Sequence, residues 1–170
     1  DLRRHSESSG EHLTYFDEAS QQHFTPYVIE PSGGVDRAAL TFLVDAYNEE
    51  EVPTAQGKTE TRVVLRLHPA LAPVKVAVLP LSRNEALGPL TKKIYDSLLA
   101  YGRWPVEYDD TQSIGRRYRR FDEIGTPYCV TVDFQSLEDG QVTIRERDSM
   151  EQERTPIEGL TERIQQKLEN

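Results

Sequence analysis

The sequence predicts a mixed α/β fold in two parts: a strand–turn–helix segment, then a βαβαββα segment whose strands form a mixed sheet with flanking helices. Two observations support this prediction. Short apolar runs alternate with segments whose apolar residues recur at helical spacing, and glycine and proline residues separate them. The composition, with 36% hydrophobic and 29% charged residues in a chain of 170, is typical of globular proteins rather than of disordered or membrane proteins.

The first part, residues 1–70, is expected to contain short strands at 13–16 and 24–30 and then a turn at Gly33 and Gly34. Both glycines can take positive φ there. A helix follows, and its apolar positions recur at i, i+3, i+4 and i+7: Leu40, Leu43, Val44 and Tyr47. The acidic stretch 48–61 is predicted to be a solvated loop, and 63–67 a further strand.

The second part, residues 71–170, begins after the proline-rich stretch 68–73, where we place a domain boundary. Its elements are expected in this order: strand 74–79, helix 89–101, strand 105–108, helix from 114, strand 128–132, strand 142–147 and a last helix from Pro156. The last helix is predicted from the capping box at Thr155 and Glu158, with proline at its first position.

Charge and cysteine content exclude several classes of protein. The net charge is −9, so no global basic field attracts nucleic acid, and DNA is not an expected partner. The single cysteine, Cys129, rules out an internal disulfide framework, fits a cytoplasmic location and is expected to be a buried packing residue. No apolar run reaches the ~20 residues of a membrane helix. No targeting peptide is visible, and a start without methionine suggests a piece of a longer protein.

Residues 30–37 form the strongest local signal for a ligand site. A strand would deliver a carboxylate and a hydroxyl to a glycine turn, and the next helix would offer backbone N–H groups and Arg37 to a phosphate. An ordinary strand-to-helix turn with a surface arginine explains the same residues. The four histidines lack a second ligand at metal spacing, so no metal site is predicted, and Ser32 has no partnered histidine for hydrolase chemistry.

Residues 116–120 contain the only dense basic cluster, with arginine at four of five positions. Helical spacing places these arginines opposite Ile114, Tyr118 and Phe121, where they could contact RNA phosphates. A solvated helix face balanced by Asp122 and Glu123 is the alternative.

Three stretches, 30–37, 71–81 and 113–133, resemble the dimeric class II glycyl-tRNA synthetases, and the resemblance covers nearly the whole chain. It implies that residues 1–70 are the end of a class II catalytic domain with its third signature motif. It also implies that residues 71–170 are the anticodon-binding domain that the threonyl, prolyl and histidyl enzymes share. The parent would be a homodimer that uses ATP and Mg²⁺ to join glycine to glycine tRNA.

The resemblance also implies roles for single residues. The glycine-binding residues would be Glu30, Pro31, Ser32, Gly33 and Gly34. The ATP-binding residues would be Gly34, Val35, Asp36 and Arg37, with Arg37 the catalytic group that faces the phosphates. The basic cluster, and not the resemblance, motivates a further hypothesis. The carboxyl end of the sheet in the second part and the helix with the tRNA-binding residues Arg116, Arg119 and Arg120 would lie near the anticodon loop.

The chain departs from the family pattern because nothing in it matches the first or second class II motif. Arg83, Asn84 and Glu85 imitate part of the second motif, but they lie in the other domain, and we treat the likeness as chance. The 170-residue piece alone is therefore predicted to be inactive and to bind no cofactor tightly. A catalytically inactive nucleic-acid-binding or accessory module, or a structural dimerisation domain, are the alternatives that tRNA titration would separate.

Overall fold

The computed structural model describes residues 1–53 and 57–169, and it divides into two compact units, Asp1–Ala38 and Ala39–Asn170. The first unit contains a helix, α1 (Leu2–Ser9), and a hairpin of β1 (Tyr15–Asp17) and β2 (Gln22–Phe24). The strand predicted at 24–30 is wrong beyond Phe24, because residues 25–34 form no regular element. Pro26 and Pro31 lack the N–H groups that a strand ladder requires. α1 was not predicted.

The next helix, α2 (Val35–Ala46), confirms the predicted helix and runs directly into a hairpin of β3 (Tyr47–Pro53) and β4 (Thr59–Leu65). The loop predicted at 48–61 is therefore wrong, and its residues 54–56 lie outside the described residues. The hairpin tolerates its acidic sequence because Glu50 binds Arg62 and Arg66 across the ladder while Val52 and Val64 are buried.

The mixed α/β fold is confirmed by a five-stranded sheet in the order β6-β5-β7-β8-β9. β5 is parallel to β6 and β7, and the remaining pairs are antiparallel. The elements are β5 (Val76–Pro80), α3 (Gly88–Tyr101), β6 (Val106–Tyr108), α4 (Ile114–Glu123), β7 (Tyr128–Val132), α5 (Ser136–Asp139), β8 (Gln141–Glu146), β9 (Gln152–Pro156) and α6 (Leu160–Glu169).

The predicted start of the last helix at Pro156 is wrong. Pro156 is the last residue of β9 and lies opposite Gln141 of β8, and α6 begins at Leu160. A proline is tolerated at a strand end on the edge of a sheet, which is where Pro156 lies. The short helix α5 and the strand β9 are additions to the predicted βαβαββα order.

Two apolar clusters cover the sheet unequally. On one face, α3 and α6 pack against valines and isoleucines of β5, β7 and β8. On the other face, α4 packs Phe121 on Ala77, Leu79 and Cys129 of β5 and β7. The neighbouring positions of β8 and β9 on that face are polar, with Arg145 paired to Gln152.

Within the described part of the chain, no helix has the length and apolar character needed to cross a membrane. The domain boundary at residues 70–71 stays a prediction.

Candidate functional site

The predicted ligand turn, residues 30–37, lies at the surface of the first unit. Glu30, Pro31, Ser32, Gly33 and Gly34 belong to the irregular stretch, and Val35, Asp36 and Arg37 form the first turn of α2; all are exposed. No strand delivers Glu30, contrary to the sequence interpretation. The α2 helix begins with a hydrogen bond of 3.0 Å from Ala38 N–H to the Gly34 carbonyl.

The two glycines of this turn, Gly33 and Gly34, add no side-chain bulk to its surface, and neither has a left-handed backbone conformation. Neither Gly33 nor Gly34 is among the residues with positive φ, so the turn does not use the left-handed conformation that both glycines could adopt. A Cβ atom at Gly33 would meet nothing within 4 Å, and one at Gly34 would meet only Arg37 Cβ at 3.9 Å. The space above both glycines is open to a bound molecule. The roles predicted for residues 30–37 stay predictions.

The basic cluster on α4 is divided by the fold. Arg117 is fully buried, and its Nη1 donates to the carbonyls of Pro80 at 2.5 Å and Asp109 at 3.1 Å. Burial lowers the pKa of the Arg117 guanidinium. The prediction that the arginines of 116–120 all face solvent is thus wrong for Arg117, because carbonyls at the strand ends require a donor there.

The other three arginines do not converge on one point. Arg120 binds Asp109 and donates to Thr111 Oγ1 at 3.0 Å, toward the loop after β6. Arg119 binds Glu60 of β4. Arg116 is exposed and has no hydrogen-bond or ion-pair partner among the residues that the structure describes.

Arg116 and Arg119 line a cleft of about 530 Å³ between α4, the β3–β4 hairpin and β8–β9, which we call the arginine cleft. Its main polar and aromatic lining residues are Glu60, Arg116, Tyr118, Arg119, Arg145 and Gln152. The Arg145 guanidinium carbon lies 4.8 Å from the centre of the Tyr118 ring. Burial raises the pKa of the Tyr118 phenol, whose oxygen shares a hydrogen bond of 2.7 Å with Thr131. The cleft is therefore cationic and polar, and its aromatic ring is already stacked.

A buried ion network joins the hairpin to the sheet beneath this cleft. Asp122 is fully buried and accepts hydrogen bonds from Arg62 Nε at 2.8 Å and from Arg145 at 2.8 and 3.0 Å. Burial lowers the pKa of the Arg62 guanidinium, but its bonds to Asp122 and Glu50 outweigh burial and raise it. Arg62 also donates to the carbonyl of Arg147. The sequence interpretation of Asp122 as a solvated counter-charge is wrong, because β4 covers it.

A second cleft, of about 330 Å³, lies at the carboxyl ends of the parallel strands β5 and β6, and we call it the sheet-end cleft. Its lining includes Arg83, Asn84, Tyr108 and Asp110. The Tyr108 ring packs edge-on against Tyr95 with centroids 5.9 Å apart, and Arg83 is exposed. In open α/β sheets, ligands bind outside the carboxyl ends of the strands. Sequence reasoning placed the anticodon loop near this end of the sheet, but it treated Arg83 and Asn84 only as a chance likeness and did not include them in a site.

Cys129 is confirmed as a buried packing residue, and complete burial raises the pKa of its thiol to about 12. Among the described residues, no three His, Cys, Asp or Glu side chains lie together as metal ligands would.

Residues 75–167 match the family described as the anticodon binding domain. The chain belongs to this family. The match covers the five-stranded sheet and its helices, so both the arginine cleft and the sheet-end cleft are built largely from the anticodon-binding domain.

Several curated relatives align with nearly the whole chain. The chain is 58% identical over 168 residues to "Glycine--tRNA ligase" of Thermobifida fusca, which covers 99% of this chain and 36% of that protein. It is 57% identical over 160 residues to the ligase of Streptomyces coelicolor, covering 94% and 34%. It is 53% identical over 169 residues to that of Clostridium perfringens, covering 99% and 35%. The chain thus spans about a third of the length of these relatives.

Solved structures share the fold. A prolyl-tRNA synthetase from Cryptosporidium parvum, complexed with L-proline and AMP, superposes with a TM-score of 0.57 at 22% identity. The superposition covers 70% of this chain and 31% of that one, and it supports the mixed α/β architecture alone.

Proposed function

We propose that the chain is the C-terminal part of a glycine–tRNA ligase. Residues 71–170 bind the anticodon region of glycine tRNA, and residues 1–70 supply one wall of the site that forms glycyl-adenylate. The observation that carries this proposal is the 58% identity over 168 residues to a protein named glycine–tRNA ligase. No observation favours the alternative of an inactive accessory module.

The sheet-end cleft suits the reading of unstacked anticodon bases. RNA is recognised by sequence mostly where bases leave the stack, pack on aromatic or arginine side chains and offer their edges to polar groups. Tyr108 offers a ring, Arg83 an exposed guanidinium, and Asn84 and Asp110 polar groups for base edges. Arg116, Arg119 and Arg120 would contact the phosphates of the same tRNA.

The turn at residues 30–37 supplies the part of the adenylate site that this chain holds. Glu30 binds the glycine ammonium, and Ser32 closes a pocket whose wall is Pro31, Gly33 and Gly34. Gly34, Val35 and Asp36 border ATP, and Arg37 stabilises the charge that accumulates as the glycine carboxylate attacks the α-phosphorus. Pyrophosphate leaves, and the glycyl group passes to the terminal adenosine of glycine tRNA.

Exposed apolar side chains in and beside the turn support the proposal that the other walls of the adenylate site lie outside this chain. Tyr27, Ile29 and Val35 are 101%, 93% and 83% exposed, which is unusual for apolar side chains of this size on the surface of a completely folded protein. Relatives about three times as long have the polypeptide needed to cover them. The parent would be a cytoplasmic homodimer that uses Mg²⁺ with ATP. Since the described residues hold no cluster of metal ligands, we assign no Mg²⁺ ligand to this chain.

The test is tRNA binding and glycine activation by the full-length parent protein. Wild-type protein should bind glycine tRNA more tightly than the same tRNA with exchanged anticodon bases. R83A should reduce that preference, whereas R103A, an exposed arginine next to the amino end of β6, should not. E30Q and R37A should each abolish most ATP–pyrophosphate exchange. Binding that ignores the anticodon, together with no glycine activation, would refute the proposal in favour of an accessory module.

A further inference from the structure

We propose that the arginine cleft is a second RNA contact, which takes the sugar–phosphate backbone of the bound tRNA, and that Glu60 competes with the phosphate for Arg119. This inference rests on the proposed function, because it assumes that tRNA is the partner. It places the phosphate contacts of Arg116 and Arg119 in a cleft separate from the sheet-end cleft, and it assigns a role to an acidic residue of the hairpin.

The arginines of the cleft differ in their freedom to accept a ligand. Arg116 is exposed and has no partner among the described residues, so its guanidinium can bind a new anion without breaking a contact. Arg145 is almost fully buried and held by two hydrogen bonds to Asp122, which fixes its position on the cleft wall. Arg116 and Arg119 are therefore the groups that would contact a phosphate.

Glu60 holds the place that a phosphate oxygen would take at Arg119. One carboxylate oxygen, Oε1, accepts from both Nε, at 3.1 Å, and Nη2 of the same guanidinium. A phosphate oxygen can accept charge-assisted hydrogen bonds from a guanidinium as this carboxylate oxygen does. The Arg119 and Glu60 side chains are 28% and 47% exposed, so the pair can open into solvent without unfolding the hairpin.

The lining of the cleft favours a backbone over bases. A base would stack on an aromatic face, but the Tyr118 ring is occupied by Arg145 and its hydroxyl by Thr131. The rest of the lining mixes small or polar residues, Ser113, Gly115 and Gln152, with the apolar Pro53 and Met150, and adds no second aromatic ring. The groups of the cleft that can still bind a ligand are the guanidiniums of Arg116 and Arg119. They fit the anionic phosphodiester groups that repeat along an RNA strand.

The sheet-end cleft is a separate site. Its lining shares no residue with that of the arginine cleft. Between the two sets, Arg117 is buried against the carbonyls of Pro80 and Leu81 and is unavailable to RNA. Substitutions in one cleft can therefore be tested without altering the other.

The experiment measures glycine-tRNA binding by the full-length parent protein across a range of salt concentrations. E60Q removes the competitor and should tighten binding by roughly two- to fivefold, the range that corresponds to an exposed ion pair. R116A should weaken binding and reduce the slope of log K against log salt by about one phosphate contact.

E153Q is the matched control. Glu153 pairs with Arg163 and Lys167 of α6 on the opposite face of the sheet, and its substitution changes the net charge equally. Thermal unfolding of each variant checks that the fold is retained.

Tighter binding by E60Q than by E153Q, with a lower salt slope for R116A, supports the proposal. Equal effects of E60Q and E153Q on tRNA binding would mean that net charge alone explains the effect, and this result would overturn the proposal. Wild-type binding that neither E60Q nor R116A changes would overturn it, together with the phosphate contacts of Arg116 and Arg119, while anticodon recognition at the sheet-end cleft would still stand. No binding of tRNA by the wild type would refute the proposed function itself.

Discussion

Removal of the buried carboxylate of Asp122 should destabilise the protein severely. Asp122 is fully buried, and the guanidinium groups that it holds, those of Arg62 and Arg145, are 0% and 3% exposed. D122N keeps the shape but removes the negative charge and turns an amide NH₂ toward a guanidinium. Breaking a buried ion pair by neutralising one partner costs about 3–5 kcal/mol. That cost is a large part of the ~5–15 kcal/mol that stabilises a typical domain.

Urea denaturation followed by far-ultraviolet circular dichroism measures the loss, with the free energy of unfolding extrapolated to water. The matched control is D96N, which breaks an i,i+4 pair with Lys92 at 3.2 Å in which both side chains are more than half exposed. That change should cost less than about 0.5 kcal/mol. In D122N, the hairpin amides should also exchange with solvent faster than those of β5. A free energy of unfolding for D122N within ~1 kcal/mol of the wild type would refute the reasoning.

Three further predictions concern other sites. The Cys129 thiol, whose pKa is raised to about 12 by complete burial, should not react with an aromatic disulfide reagent at pH 8 until denaturant is added; reaction at a solvent-exposed rate in buffer would contradict this. G125A should destabilise by about 1–3 kcal/mol in thermal unfolding, because φ there is +80° and a Cβ would approach the Leu65 carbonyl oxygen to 3.0 Å. Burial raises the pKa of Asp133, but its bonds to Arg154 and Ser136 outweigh burial and lower it. The unfolded chain then binds the proton more readily, so the stability that Asp133 provides is complete above about pH 4 and is lost as pH falls through the lowered value. Urea denaturation at pH values from 5 to 2 should show that D133N loses less free energy of unfolding on acidification than the wild type. A loss equal to that of the wild type would exclude this contribution.

The central strands could be predicted from sequence because their surroundings are uniform. β5 and β7 are covered on both faces, so apolar residues predominate in both strands, and the polar Thr131 of β7 is buried as well. The first strand of the hairpin, β3, could not be predicted, because Glu49, Glu50 and Glu51 indicate a solvated loop unless one knows that Glu50 meets Arg62 and Arg66 across the ladder.

The candidate site, too, could be predicted only in part, because local sequence patterns do not show which distant residues a side chain meets. Residue types in 30–37 and 116–120 suggested phosphate chemistry, but spacing on α4 alone could not separate Arg116 from Arg117. The carbonyls that bury Arg117 come from the end of β5, and the carboxylate that engages Arg119 comes from β4. Both partners are distant in sequence, and Glu60 lies in a stretch, 48–61, that the pattern predicted as a loop.

The order of the strands also bears on how the chain avoids self-association during synthesis. Both outer strands of the sheet are poor templates for another chain. β6 has only three residues and follows Pro105, while β9 carries charged Glu153 and Arg154 and ends at Pro156. The aliphatic strands β5 and β7, which would aggregate most readily, lie inside these two. Replacing Pro105 and Pro156 with valine, which removes no side-chain ion pair, would therefore threaten solubility before it changed the native contacts.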